Sequence, residues 1–424
     1  MRILIVNTSE QTGGAAVAAR RLLQALNNNG VKAKMLVRDK ETDRLSVVRL
    51  PDSFLNKWNF LWERWCLFCH LHFSRRHLFE LDMANTGRDI TALREFREAD
   101  IIHLSWINQG MLSLKNIRKI LDSGKPVVWT MHDMWPATSL CHLTLGCENF
   151  KSECRDCKYL PGGGSRNDLS AKVWRRKQKV LEGRSMTFVA CSHWLESEAK
   201  SSALLRGQWI TSVPNPIDTR LFRLSDRQQA RENLGLPAGR RLILFVSQRV
   251  TNVNKGMRYL VEACNQLVEE EPGMKENAGV VVLGGHAEEI APLFRLPVFA
   301  LGYVNDVRQI ASVYSAADVF VLPSLSENLP NTIMEAMACG VPCVGFEVGG
   351  ILEEIDHLAN GYVAKYKDSA DLARGLRWVL AEADYPALSR AAVRKVSACY
   401  SQNAVAMKYI GIYNKVLSDT NSEK

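Results

Sequence analysis

Two carboxylates, Glu327 and Glu335, stand eight positions apart in the stretch SENLPNTIMEAMACGVP, residues 326–342, around one proline and two asparagines. A pair of carboxylates first suggests glycosidase-like acid–base chemistry, with the two carboxyls about 5–9.5 Å apart across one glycosidic bond. The local sequence sets them out differently. Glu327 directly follows the apolar run DVFVLPS, so it occupies the loop at that strand's carboxyl end. Asn328 reads as an N-cap, and Pro330 is tolerated only in a first helical turn. Glu335 then lies about a turn and a half into the helix. Between the carboxylates falls a helix N-terminus, whose N–H groups favour a phosphate. A sugar nucleotide has the matching order: hexose hydroxyls, diphosphate, ribose hydroxyls. The blander reading, a helix-capping acid and an unrelated surface acid, fits the spacing alone equally well.

Upstream, SQRVTNVNKGM (247–257) places Arg249 and Lys255 after a strand of the same half. A guanidinium fork and an ammonium point charge at a strand's carboxyl end suit a diphosphate leaving group, although surface salt bridges explain most such residues. No Asp-x-Asp occurs in the chain. Arginine, lysine and a helix terminus, not a carboxylate-held metal, would therefore neutralise a departing diphosphate, and no cofactor is required for catalysis.

Short apolar runs alternate with helical sequence, as in βαβ units. RILIVN (2–7), VKAKMLV (31–37), ADIIHLS (99–105), KPVVWTMHD (125–133) and TFVACSH (187–193) read as strands of one doubly wound domain. SVPNPIDTRLF (212–222) breaks the pattern. A second series follows: RLILFVSQR (241–249), a helix from Met257 to Glu271, GVVVLGG (279–285), PVFALGYV (297–304), ADVFVLPS (317–324), a helix near 331–339, and VPCVGF (341–346). The expected class is α/β, with two doubly wound, Rossmann-like domains facing each other across a cleft. Residues 1–212 form the acceptor domain, 213–400 the donor domain, and 401–424 a C-terminal helix packing back on the first, with a frayed tail SDTNSEK.

With six motifs in order, the chain resembles the retaining glycosyltransferases of family 4, of GT-B fold. The motifs are the E-x7-E of Glu327 and Glu335, SQR…NKG, VPNPID, LGYV, MACGVP and NGYVAKY. The resemblance covers nearly the whole chain. It implies that Arg249 and Lys255 hold the donor diphosphate, Glu335 the ribose and Glu327 the transferred sugar. Asn328, Leu329 and Thr332 then join the donor-binding loop. Gly13 and Gly14 resemble the family's first Gly-Gly loop, and His132 in TMHDMW resembles a histidine that contacts the donor sugar; a structural histidine is the alternative. Anomeric configuration is retained without a placed enzyme nucleophile, the diphosphate itself accepting the acceptor's proton. Two departures leave base and sugar preference open: Asn328 stands where many members have glycine, and LGGH (283–286) replaces the commoner Gly-x-Gly. An epimerase or hydrolase acting on a sugar nucleotide, or a non-catalytic sugar-nucleotide-binding subunit, would use the same cleft.

Cys141, Cys147, Cys154 and Cys157 form a cluster ending in a Cys-x2-Cys knuckle. Structural zinc, free thiols and disulfides are all open, a reducing compartment disfavouring the last. His142 would compete as a ligand. Such cysteine-rich inserts also mark an exopolysaccharide, colanic-acid-type subset of the resembled family.

The chain has 424 residues and a formal charge of +9. Residues 1–212 hold +11 of it and the remainder −2. A basic half fits nucleic acid, an anionic membrane, an anionic substrate or a solvated surface. No nucleic-acid recognition module is evident, so nucleic acid is not an expected partner. The segment 54–79 packs Trp58, Trp62, Trp65, Phe68, Phe73 and Phe79 among Lys57, Arg64, Arg75 and Arg76. It reads either as a helical excursion packed on the first domain or as an interfacial membrane helix. The latter points to a lipid-linked oligosaccharide acceptor at the inner leaflet. No signal peptide and no run of 18 apolar residues is evident, so the expected location is cytoplasmic, peripheral on the membrane.

Overall fold

The computed structural model describes residues 1–422. It contains two compact units: Met1–Pro216 with the chain from Val405 on, and Ile217–Ala404. The first unit extends to Pro216, not 212, for a physical reason. Val213 still donates to Ala190 O (2.9 Å) and is buried in the first core, whereas Ile217 donates to Tyr400 O (2.7 Å) in the second unit.

The first unit carries a seven-stranded sheet: β1 (Arg2–Ser9), β2 (Lys32–Asp39), β3 (Val47–Arg49), β4 (Ile101–Leu104), β5 (Val127–Met131), β6 (Thr187–Ala190) and β7 (Trp209–Ser212). Its order is β3-β2-β1-β4-β5-β6-β7, with every pairing parallel. β4, β5 and β6 are buried along their whole length, which is why they read as uninterrupted apolar runs. β3 and β7 escape the pattern because they are three and four residues long and only partly buried.

The second unit carries six strands: β8 (Arg241–Arg249), β9 (Ala278–Gly285), β10 (Val298–Gly302), β11 (Val319–Leu322), β12 (Cys343–Phe346) and β13 (Gly361–Ala364). The order β10-β9-β8-β11-β12-β13, all parallel, repeats the doubly wound scheme. In each sheet the chain reverses direction of winding beside its first strand, and ligands of such sheets bind at the carboxyl ends there.

The last helix, Gln402–Ser422, belongs to the first core. Val405, Tyr409, Ile412, Tyr413 and Val416 recur at helical spacing and pack with Ile3, Ile5, Leu22 and Val189. Its tyrosines also close a buried polar chain: the Tyr409 hydroxyl lies 2.7 Å from Thr130 Oγ1, which lies 2.8 Å from His103 Nε2. Burial holds His103 neutral, its pKa pushed down to about 3. The tail from Ser418 continues this helix to Ser422; Glu423 and Lys424 lie outside the described residues.

Candidate functional site

The site residues fall into two sets, one in each unit. In the second unit, β8 and β11 are sheet neighbours, so the loops leaving their carboxyl ends meet. The NKG turn after β8 is zipped to the loop after β11. Leu325 donates to Asn254 O at 2.8 Å, and Asn254 Nδ2 to Ser326 O at 2.9 Å. Gly256 sits at φ 70°, and a Cβ there would lie 1.7 Å from Pro323 O. That approach admits glycine alone. A second glycine turn closes the other side: Cβ atoms on Gly349 and Gly350 would lie 1.8 and 1.9 Å from the carbonyl oxygens of Glu327 and Asn328. Glu327 is thus clamped between two backbone turns. Gly349 and Gly350 carried no expectation from the sequence; the VGG run after β12 is their only signal.

The clamp brings Lys255 Nζ to 2.5 Å from Glu327 Oε1, with both side chains mostly buried. Arg249 ends β8 as an exposed side chain, its Nε donating to Thr251 Oγ1 at 3.0 Å. The following helix spans Asn331–Ala338 and starts from Pro330, not from an Asn328 cap. Proline fixes φ (−73°) and constrains the preceding residue to extended backbone, which places the turn at Pro330. No side chain caps this N-terminus. Thr332 is half-buried in its first turn and Leu329 is buried beneath Gly350. Glu335 lies a turn further in, buried, its Oε2 accepting from the Tyr314 hydroxyl at 2.9 Å. Tyr314 orients this carboxylate and gave no signal in the sequence.

Glu354 follows the second glycine turn. It is fully buried, and neither carboxyl oxygen has a hydrogen-bond partner among the described residues. Burial, then the nearby Glu327 charge, push its pKa well up. Glu354 is therefore a neutral acid, leaving the local negative charge to Glu327. An acid whose pKa rises on folding stabilises below its unfolded value of about 4.5 and loses that contribution as pH rises toward the folded value. Glu354→Gln should flatten the decline in melting temperature as the pH rises above about 4.5. An unchanged slope would mean that Glu354 is already ionised.

In the first unit, Gly13 caps the helix Gly14–Asn28 at φ 93° with nothing within 4 Å of a Cβ position, so the backbone conformation is what calls for glycine. His132 follows β5, its Nε2 2.9 Å from Ser105 Oγ at the end of β4. Burial pushes its pKa down to about 4, against the opposing charge of Asp133. It is a neutral imidazole, suited to hydrogen bonding and poor as a base.

Asp133 anchors the turn. It accepts from Trp135 N (2.9 Å), Trp106 Nε1 (3.0 Å) and His142 Nδ1 (2.7 Å). His142 Nε2 is 3.4 Å from Asp82, which pairs with Arg64 at 2.9 Å. Despite burial, the two aspartates raise the His142 pKa to about 10. His142 is thus spent on an internal ion-pair chain and is not available as a zinc ligand.

Among the described residues no three of the Cys141, Cys147, Cys154 and Cys157 sulfurs lie within 4.8 Å of one another, although they are near enough for each other's charge to raise their pKa. Among the described residues, His286, Glu288 and Glu289 form the only group of three or more His, Cys, Asp or Glu side chains with ligand atoms within 4.8 Å of one another. That trio is exposed in the second unit. Burial pushes Cys141 and Cys154 up to about 12 and raises Cys157, with neighbouring cysteines of the cluster adding to each rise. None of the four is in a disulfide. Buried Lys177 braces the turn that leads into the cysteine-rich insert: it donates to Trp135 O (2.6 Å) and Thr138 O (2.9 Å) and lies 3.3 Å from the Trp135 ring centroid.

Known proteins bear on this arrangement. The family described as Glycosyltransferase Family 4 matches residues 12–221, and Glycosyl transferases group 1 matches residues 240–382. A D-inositol 3-phosphate glycosyltransferase of Catenulispora acidiphila is 34% identical over 182 residues, 40% of this chain and 42% of that protein. The chain spans about half the length of these first curated relatives, 42% to 51%. An uncharacterized glycosyltransferase of Methanocaldococcus jannaschii is 31% identical over 370 residues, 80% of this chain and 90% of that protein. The putative colanic acid biosynthesis glycosyl transferase WcaC of Escherichia coli is 24% identical over 330 residues, 74% and 76% of the two chains. Sucrose-phosphate synthase of Thermosynechococcus elongatus shares the fold with a TM-score of 0.70 at 18% identity, over 99% of this chain and all of that one. Anabaena HepE, solved in complex with UDP-glucose, gives 0.63 at 16% identity over 100% of both chains. The extended match to the archaeal protein, with both family signatures in sequence order, shows that the chain belongs to the family 4, group 1 glycosyltransferases of GT-B fold.

Proposed function

We propose that the chain transfers a hexose, with retention at the anomeric carbon, from a nucleoside diphosphate sugar to a lipid-linked glycan in bacterial surface polysaccharide assembly. The clamped Lys255–Glu327 pair beside an uncapped helix N-terminus carries the reading. Lys255 and Arg249 offset the diphosphate charge together with that helix terminus, and Glu335 takes the ribose hydroxyls. Glu327 and Asn328 hold the hexose hydroxyls, and neutral His132 hydrogen-bonds the sugar from the first unit. Gly13 and Gly14 let backbone approach the donor phosphates. As the bond from the anomeric carbon to the phosphate oxygen breaks, its electron pair leaves with the diphosphate. The acceptor oxygen bonds to the same carbon, and its proton passes to the departing diphosphate on the same face. No step calls for a bound metal.

Two comparisons support the details. The UDP-glucose complex of HepE favours a uridine donor, and the colanic acid role in WcaC's name favours a surface polysaccharide. A lipid-linked acceptor would put the enzyme at the inner face of the cell membrane. The test is nucleotide release from a panel of sugar nucleotides in EDTA, with and without a lipid-linked oligosaccharide extract. Acceptor-dependent release of one nucleotide is the expected result. Release without acceptor would replace transfer by hydrolysis or epimerisation, and donor binding without release would make the chain a binding subunit.

A further inference from the structure

The helix Phe54–His70 is built inside out. Its inward face carries Asn59, Glu63, Arg64 and Leu67. Arg64, expected from the sequence among the surface cations, is instead buried against Asp82, where it joins the ion-pair chain that ends at Asp133. Glu63 accepts from the backbone N–H groups of Met83 and Ala84 at 3.2 and 2.7 Å. The outward face carries Phe54, Trp58, Leu61, Trp62 and Trp65, each 43% to 77% exposed. These positions recur at helical spacing and form one stripe. Phe54 stacks on Trp58 (6.0 Å between centroids), and Trp58 on Trp62 (5.8 Å), so the stripe is a pre-ordered slab. An apolar stripe of this size on a protein surface marks a partner.

The surroundings say which partner. Arg75 and Arg76 follow the helix, both exposed. Beyond them, the helix Leu169–Leu181 turns Lys172, Arg175, Arg176 and Lys179 outward on one face. Among the described residues, no carboxylate pairs with any of these six cations. The side chains of the second helix border an open crevice of about 600 Å³. Lys172 and Arg176 are near enough to His70, at the end of the aromatic helix, for their charges to help depress its pKa, after burial. The unpaired cations of the second helix therefore lie near the C-terminal end of the helix that carries the aromatic stripe. No helix of the described residues is long and apolar enough to cross a membrane, so this surface would lie on a bilayer, not span it.

We propose that the stripe Phe54–Trp58–Trp62–Trp65 lies flat in the headgroup region of an anionic bilayer, with Arg75, Arg76 and the face Lys172–Arg175–Arg176–Lys179 binding its phosphates. Tryptophan suits that depth because its ring is apolar and its N–H is polar. Each basic side chain near an anionic surface strengthens binding, and salt weakens it. The lipid-linked acceptor proposed above gives this surface a purpose, but neither donor nor acceptor is needed to see the binding.

The experiment is co-sedimentation of the full chain with vesicles of phosphatidylcholine alone, or of equal parts phosphatidylcholine and phosphatidylglycerol. The wild type should bind the anionic vesicles more tightly, and less so in high salt. The triple variant W58A/W62A/W65A should lose about tenfold or more of its partitioning on both vesicle types, from the apolar area withdrawn. K172E/R176E should lose binding only on the anionic vesicles. Matching far-UV spectra and melting curves would show that each variant is folded. Wild-type protein that stays in the supernatant, or a triple variant that binds like the wild type, overturns the proposal. So does a wild-type dimer that the triple variant breaks while neither form binds vesicles, which would assign the stripe to a second copy of the chain. Vesicle binding by a chain that releases no nucleotide would uphold this surface and count only against the proposed transfer.

Discussion

Replacing Lys255 with methionine should lower kcat about 10²–10³-fold, the loss typical of removing one charge-stabilising group from a developing anion. Lys255 is held by a turn packed directly on the loop after β11, where a Cβ on Gly256 would lie 1.7 Å from Pro323 O and Leu325 donates to Asn254 O at 2.8 Å. Its ammonium pairs with Glu327 at 2.5 Å. A donor diphosphate would compete for that ammonium and so couple donor arrival to release of Glu327 toward the sugar. On the proposed reading the variant loses the charge that offsets the leaving group, and it also leaves Glu327 without its counter-ion beside Glu354. Lys255→Arg should restore little, since a planar fork does not replace a compact point charge in a closed loop. Glu327→Gln should also lower kcat, and the double variant should be far from additive because both changes act on one pair. Steady-state release of nucleoside diphosphate measures all three. A Lys255→Met enzyme with near wild-type kcat would reduce Lys255 to a salt-bridge partner of Glu327.

His142→Ala should cost about 3–5 kcal/mol of stability, the range for breaking a buried ion pair from one side. The residue stands between Asp133 at 2.7 Å and Asp82 at 3.4 Å, and its removal leaves Asp133 without its charge partner and Asp82 with Arg64 alone. The pH dependence carries the same signature. His142 binds its proton more tightly in the folded chain, so its contribution is complete below pH about 6.5 and is lost as the pH rises toward about 10. Asp82 and Asp133 shift the other way, and their pKa values are lowered. Their contribution is present above about pH 4 and is lost as the medium becomes acidic. Urea unfolding at about pH 6 and pH 9 should therefore show the wild type weaker at the higher pH, with a smaller difference in His142→Ala. Equal sensitivity in the two proteins would mean that His142 is neutral in the fold. Because Asp133 adjoins His132, the variant should also lose activity at temperatures where it remains folded.

The apolar runs foretold ten of the thirteen strands, because parallel strands covered on both faces must be apolar throughout. Three short strands escaped: β3, β7 and β13, the last opening on Gly361. In the site, strand-end placement and residue type singled out Glu327, Glu335, Lys255 and His132. What the sequence could not show is which distant loops touch. Lys255 meets Glu327, 72 residues away, only because β8 and β11 are sheet neighbours, and the Gly349–Gly350 clamp depends on the same strand order. Burial was equally invisible. Glu354 reads as one of two adjacent acids and lies unpartnered in the core, and Arg64 reads as a surface cation and lies inside. The four cysteines are close in sequence and neighbours in space, yet among the described residues no three of their sulfurs lie within 4.8 Å of one another, and His142 turns to Asp133 instead. Period and motif spacing by themselves determined the two doubly wound units and the residues proposed for the site. Tertiary structure decided its charge states and its clamp, since these follow from contacts between segments that periodicity does not relate.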